Sequence, residues 1–180
     1  MQTGVPVLII TGPVGVGKTT VAFTVSELLE QIGIAHAYVD LDTLRWHYPR
    51  PPDDYFSIRL AMKNLAAIWT NYQEYAASRL IVADVIEARD ELDRYRAAIP
   101  GAELFVIRLR ASLEILAQRV RQRESGSGLE WHLARIPVLA ALMDRNQVED
   151  QLVETDNRPV IQIAKEILAA WLPGQPLPLL

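Results

Sequence analysis

The sequence predicts an α/β fold: a five-stranded parallel sheet with helices on both faces and a short lid. Two observations carry that prediction. Short, almost wholly apolar runs alternate with amphipathic segments of helical spacing along the chain, the pattern of strands buried on both faces and joined by helical crossovers. A glycine-rich turn closes the first apolar run and opens the first helical one. Half of the 180 residues are apolar, which is enough for one well-buried core and little more. One domain over residues 1–172 is therefore expected, followed by a Pro-rich tail, PGQPLPLL, at 173–180.

The elements follow in order. Residues 5–11 form the first strand and 18–32 the first helix. Residues 35–40 are a second short strand that ends in acid, and 55–75 are helical, with Leu65, Ile68, Trp69 and Tyr72 on one stripe. A third strand, 80–84, precedes a helix at 90–98, and Pro100-Gly101 punctuates. The fourth strand spans 104–109, and Ser112 is the expected N-cap of a helix that reaches Arg123. The small residues at 124–128, ESGSG, precede a helical pattern from Leu129 to about Asn146, with Pro137 as an expected kink. The last strand, 151–154, leads through Thr155-Asp156-Asn157-Arg158 into a helix starting near Pro159. There Asp156 or Asn157 would cap and Pro159 would occupy the first turn.

Composition excludes several classes. A net charge of −4 gives no chain-wide attraction for nucleic acid. With no cysteine there is no disulfide, thiolate metal site or cysteine nucleophile. The first residues lack the basic n-region of a signal peptide, and no apolar run has membrane-spanning length, so a cytoplasmic monomer or homodimer is expected.

The chemistry begins at GPVGVGKT, the full GxxxxGK[ST] pattern formed by Gly12, Pro13, Val14, Gly15, Val16, Gly17, Lys18 and Thr19, with Thr20 next. Its glycines let successive N–H groups and a helix N-terminus face phosphates, its lysine reaches the β and γ oxygens, and its hydroxyl meets Mg²⁺. A merely Gly-rich turn explains the glycines but not the Lys-Thr pair. A P-loop NTPase fold that uses ATP and Mg²⁺ is the reading. Three acids fall at strand ends, Asp40, Asp42 and Asp84, where ligands of open parallel sheets bind. Either Asp40 or Asp84 can serve the metal beside Thr19, and the sequence leaves that choice open.

Residues 39–45, Val-Asp-Leu-Asp-Thr-Leu-Arg, resemble the DGDxxR segment of adenylylsulfate kinases, and their Asp-x-Asp core is similar to that of shikimate kinases. With the phosphate loop, this places the chain beside the P-loop small-metabolite kinases. The resemblance implies Asp42 as base, Asp40 as metal or acceptor ligand and Arg45 as acceptor anchor, with Arg59 and Asn64 on an acceptor-side helix. The competing reading of Asp42 is a helix N-cap. Trp46, His47 and Arg50, in a proline-stiffened stretch, are candidate acceptor contacts, with Trp46 foremost. Arg119, Arg121 and Arg123 are placed like the lid arginines of such kinases, in a lid over about 119–130. Arg119 and Arg123, four apart, share a helix face, and both are assigned to catalysis. Arg119 also resembles the arginine that stacks on adenine, and Arg158 and Pro159 resemble the adenine-side loop. Trp131 and His132 either face the cleft or pack.

The implied activity is ATP- and Mg²⁺-dependent transfer of the γ-phosphoryl group to a hydroxyl of a small polar or anionic metabolite. An antibiotic-like acceptor, as in chloramphenicol phosphotransferase, uses the same machinery. A nucleoside-monophosphate kinase employing Arg45, Arg59 and Arg89 is one alternative, and a nucleotide-binding switch protein is another. The absence of an NKxD segment disfavours a guanine-specific switch.

Overall fold

In the computed structural model, which describes residues 4–175, the central strand is β1, Val5–Thr11. Its residues from Val7 onward are buried, because layers cover both of its faces. Around it stand β2 (Ala37–Asp40), β3 (Leu80–Ala83), β4 (Ala102–Arg110) and β5 (Gln151–Glu154), in the order β2-β3-β1-β4-β5 and all parallel. The connections are α1 (Lys18–Gln31), α2 (Leu41–Leu44), α3 (Ile58–Glu74), a 3-10 turn (Arg89–Leu92) running into α4 (Asp93–Ala98), α5 (Leu113–Arg123), α6 (Ser127–Asn146) and α7 (Val160–Trp171).

Strand side chains alternate between two core layers, as the pleat requires. Leu8, Ile10, Ile81 and Leu109 pack with α1, α5 and α7 through Val25, Leu116 and Ile167. Val7, Ile9, Val82 and Val106 pack on the opposite face with Leu65, Trp69 and Tyr95 of α3 and α4. Chain order reverses across β1, so the turns after β1, β2 and β3 open on one edge of the sheet. That crevice is where open α/β sheets bind ligands.

Several boundaries differ from the sequence reading, each for a local reason. The Asp54 carboxylate accepts from the N–H groups of Ile58 and Arg59 at 2.9 and 3.0 Å, so α3 begins at Ile58, after the aromatic pair Tyr55-Phe56. The expected helix at 90–98 is split between the 3-10 turn and α4. Pro137 lies within α6 without ending it. Ser112 caps α5 as expected, its hydroxyl accepting from the Ile115 N–H. The cap of α7 is corrected. Pro159 sits at the N-cap position, and neither Asp156 nor Asn157 caps with its side chain, because the Asp156 carboxylate is engaged by the Ser112 N–H at 3.0 and 3.1 Å. Residues 176–180 of the expected tail lie outside the described residues. Among the described residues no helix is long and apolar enough to cross a membrane.

One buried ion pair fastens β4 to the turn before β5. Arg108, whose side chain is 5% exposed, reaches Glu149 at 3.0 Å and the more exposed Asp144 at 2.7 Å. Arg108→Leu leaves the Glu149 carboxylate buried without its partner, and a loss of about 3–5 kcal/mol in urea unfolding is expected. The double substitution Arg108→Leu/Glu149→Leu should recover most of that loss. A double variant as unstable as the single one would contradict the charge-burial account.

Candidate active site

Local backbone geometry builds the phosphate loop. Gly15 has φ +84°, and a Cβ there would lie 2.9 Å from the Leu116 carbonyl oxygen, so only glycine lets the loop seat against α5. Gly17, at φ +101°, is the N-cap of α1, makes no side-chain cap and faces open space. The first N–H groups of α1 therefore point outward without a competing side chain, as anion binding requires. Lys18 Nζ donates to the carbonyls of Gly12 and Pro13 at 3.0 and 3.3 Å, folding back across the loop. Burial holds its pKa below the ordinary lysine value, although Asp42, Asp84 and Asp40 all pull it up and Arg123 pushes it further down.

The strand-end acids have three separate environments. Asp40 accepts from the Thr19 hydroxyl at 2.6 Å with one oxygen and from the Asp42 N–H at 3.0 Å with the other. It is thus the N-cap of α2, the position that the capping reading gave to Asp42. Asp42 is left with its side chain 72% exposed and pairs with Arg45 at 2.9 Å. Asp84 is almost fully enclosed, takes Arg45 at 2.5 Å and accepts from the Tyr95 hydroxyl, with Arg94 at 4.0 Å. Burial pushes the Asp84 pKa up, against the pull of Arg45 and then Tyr95, and burial likewise raises Tyr95. Tyr38, beside Asp40, is pushed up to about 12 by burial and by that carboxylate.

These environments bear on the metal. Thr19 and Asp40 present adjacent hard oxygens at the loop, a donor set that suits Mg²⁺, which binds few protein ligands and completes its shell with phosphate and water. Among the described residues no cluster of three His, Asp or Glu side chains could hold an ion by itself. Asp84 already has a guanidinium and a hydroxyl, so its charge is spent within the protein.

On the opposite wall, Arg119 of α5 donates to the Val16 carbonyl at 3.3 Å, which sets its guanidinium on the phosphate loop. Arg123, one turn later, is held by Glu124 at 2.5 Å, and Glu124 in turn bonds His132 of α6. Burial pushes the Glu124 pKa up, but its bonds from Arg123 and His132 outweigh that and hold it below the ordinary value. Arg121 is exposed. Arg158 donates to the Glu154 carbonyl at 2.8 Å and to Glu166 at 2.5 Å, so its guanidinium is engaged beside Pro159.

Beside the phosphate loop lies a cavity of about 870 Å³, within the range of small-molecule sites; Lys18, Thr19, Asp40, Arg119, Arg123 and Arg158 are not among its lining residues. Val14 of the phosphate loop reaches it, and Asp42, Arg45, Trp46 and Arg50 line one side. Arg59 and Asn64, expected on the acceptor side, are not among its lining residues. Arg59 turns to Asp53 at 2.8 Å, and Asn64 donates to the Leu44 carbonyl at 2.8 Å, joining α3 to α2. His47 faces its own chain, its Nδ1 3.3 Å from the Arg45 carbonyl.

Sequence reasoning did not find Ser57, Glu91, Arg94 and Arg135 in the wall, or Tyr95 beneath it. Tyr95 had a signal, since it stands three residues after Leu92 on a buried stripe and a buried tyrosine hydroxyl needs a partner. Ser57 had none. It is 1% exposed, lies at φ +53° and its hydroxyl has no partner among the described residues, a strained position of the kind that collects at binding sites.

The lowered Lys18 pKa yields a prediction with a definite sign. A lysine depressed in the folded state contributes stability that is present above its ordinary pKa and lost as pH falls through the folded value. At neutral pH the ammonium therefore costs folding free energy. Lys18→Met should melt at a temperature equal to or above that of the parent protein without nucleotide, the gap closing as pH rises toward lysine titration. The same variant should lose the thermal shift that an ATP analogue gives the parent protein. A variant that melts lower at neutral pH yet keeps the nucleotide shift would overturn this account.

The fold and loop can now be set beside known proteins. The "Structure of Deinococcus radiodurans tunicamycin resistance protein" matches with TM-score 0.65 and 22% identity, over 96% of this chain and 98% of that one. A shikimate kinase from Acinetobacter baumannii, solved in complex with shikimate, matches at 0.60 and 18%, over 94% of each chain. The Mycobacterium tuberculosis APS kinase in complex with AMPPNP and APS matches at 0.60 and 20%, over 92% and 96%. At these identities the likeness is one of fold, the α/β arrangement of P-loop kinases. A search of the curated proteins found no match. The sequence model of the AAA domain matches residues 8–137, from the first strand into α6, and the chain belongs to that family.

Proposed function

We propose that this protein is an ATP- and Mg²⁺-dependent phosphotransferase that moves the γ-phosphoryl group to a hydroxyl of a small polar acceptor. The observation that carries the reading is the position of Asp42. Its carboxylate is exposed in the wall of the cavity, and it is the carboxylate that acts most strongly on Lys18. Nucleotide on the loop and acceptor in the cavity would then meet between these two side chains.

The roles follow from the geometry. Lys18 and the N–H groups that open α1 hold the β and γ oxygens, and Arg119 adds positive charge from the lid side. Thr19 and Asp40 would hold Mg²⁺, which when bound neutralises charge on the β and γ phosphates. The acceptor oxygen bonds to the γ phosphorus, the bond to the bridging oxygen of ADP breaks, and Asp42 takes the hydroxyl proton. Arg45, anchored by Asp84, fixes the direction of the Asp42 carboxylate. The fold neighbours that are kinases of metabolite hydroxyls support the class of reaction.

A nucleoside-monophosphate kinase needs several free arginines around an acceptor phosphate. Of the three candidates only Arg45 lines the cavity, while Arg59 pairs with Asp53 and Arg89 pairs with Asp150 at 2.8 Å. The switch reading remains the alternative from another class, and acceptor-dependent ADP release distinguishes it.

Because Asp40 and not Asp42 caps α2, Asp42→Asn removes a charge without removing the cap. Acceptor-dependent ADP release should fall roughly a hundredfold or more while ATP-analogue affinity and melting temperature hold. Activity near that of the parent protein would remove Asp42 from the chemistry. Thr19→Val should shift the Mg²⁺ titration of turnover to higher concentration, and superimposable titrations would exclude Thr19 as a ligand.

A further inference from the structure

The proposed acceptor cavity holds more than phosphoryl-transfer groups, and its far wall is built from α6 and the segment before α3. Phe56 and Trp131 lie with ring centroids 6.4 Å apart, Tyr55 stands edge-on to Phe56 at 5.2 Å, and His132 is edge-on to Trp131 at 4.9 Å. All four line the cavity, and Phe56 and Trp131 are each about half exposed. Large aromatic surface left open inside a concave site is a platform for a flat or apolar ring, since such side chains otherwise pack away from water.

The charged groups of the same wall are already matched. Arg135 is paired with Glu87, Arg94 with Glu91 at 2.5 Å, and Arg45 with Asp42 and Asp84. Arg50 is the exception, its guanidinium lying over the Tyr55 ring at 5.4 Å. An anionic acceptor would have to compete with four resident carboxylates for the guanidiniums of Arg45, Arg94 and Arg135 while lying beside Asp42, Glu87 and Glu91. A neutral hydroxyl has no such conflict. It donates to the carboxylate and accepts from the guanidinium of the same pair, which is what an Arg–carboxylate pair at a cavity wall offers. The Ser57 hydroxyl, buried at this wall without a protein partner, adds one more polar group of the same kind.

We propose that the acceptor is an uncharged, polyhydroxylated molecule carrying a flat ring, its ring against Phe56 and Trp131 and its hydroxyls between the Arg94–Glu91 and Arg135–Glu87 pairs. A nucleoside or an aryl glycoside has this chemistry. The inference rests on the phosphotransferase reading above and narrows its acceptor class, setting anionic metabolites aside.

Matched acceptors that differ by one charge test it. The probes are a set of nucleosides against their 5′-monophosphates and aryl glucosides against the corresponding aryl glucuronides, read as ADP release above the water background. The neutral members should be preferred in kcat/KM by about tenfold or more. Trp131→Ala should raise the acceptor KM by about tenfold while leaving ATP-analogue affinity in place, and Trp131→Phe, which keeps a ring and guards against a folding defect, should recover much of the loss. Preference for the charged members, or an acceptor KM indifferent to Trp131→Ala, would overturn this proposal and leave phosphoryl transfer standing. No stimulation by either member, with the ATP analogue bound, would overturn both.

Discussion

The site hangs on one buried carboxylate. Asp84, at the end of β3, is tied to β1 through its own N–H, which donates to the Ile10 carbonyl at 3.2 Å. Its oxygens receive Arg45 from the turn after α2 and Tyr95 from α4, so the connections that follow β2 and β3 converge on one charge held against β1. Such a group adds little net stability, because desolvation offsets most of the attraction. What it supplies is geometry. Without Asp84, Arg45 would have only the exposed Asp42 to hold it among the described residues, and the cavity wall would lose an anchor.

The phosphate loop shows the opposite balance, a set of groups that the fold tolerates at a cost. Lys18 is held with its pKa depressed by burial, Gly17 leaves a helix start without a side-chain cap, and Ser57 sits in a left-handed conformation that costs a serine on the order of 1 kcal/mol. Each is unfavourable by itself and each faces the cavity or the loop. The two apolar layers on the sheet provide the surplus that offsets them. Stability and ligand affinity are thus drawn from different parts of the molecule, the core from residues alternating along the strands and the site from the turns at their ends.

The junction of α5 and α6 keeps its charges paired. Arg119 already touches the loop, whereas Arg123 is engaged by Glu124, which also binds His132 on the next helix. One carboxylate thus links Arg123 of α5 to His132 of α6, and His132 lines the cavity.

The amino-acid sequence by itself determined what depends on neighbours along the chain. The phosphate loop is contiguous, so its glycines, lysine and threonine could be assigned directly, and strands buried on both faces announce themselves as unbroken apolar runs. The Ser112 cap belongs to the same class. Tertiary structure decided whatever depends on which way a turn faces. A carboxylate's role depends on its partner, and the partners of Asp40, Asp84 and Arg45 come from other elements, so three acids at strand ends looked alike until Thr19, Tyr95 and the Asp42 N–H divided them. Arg59 and Asn64 lie on a plausible helix but turn to Asp53 and Leu44. The cavity wall joins Ser57, Glu91, Arg94 and Arg135 from segments far apart in the chain, and no local pattern encodes a juxtaposition that exists only once the sheet has brought those segments to one edge.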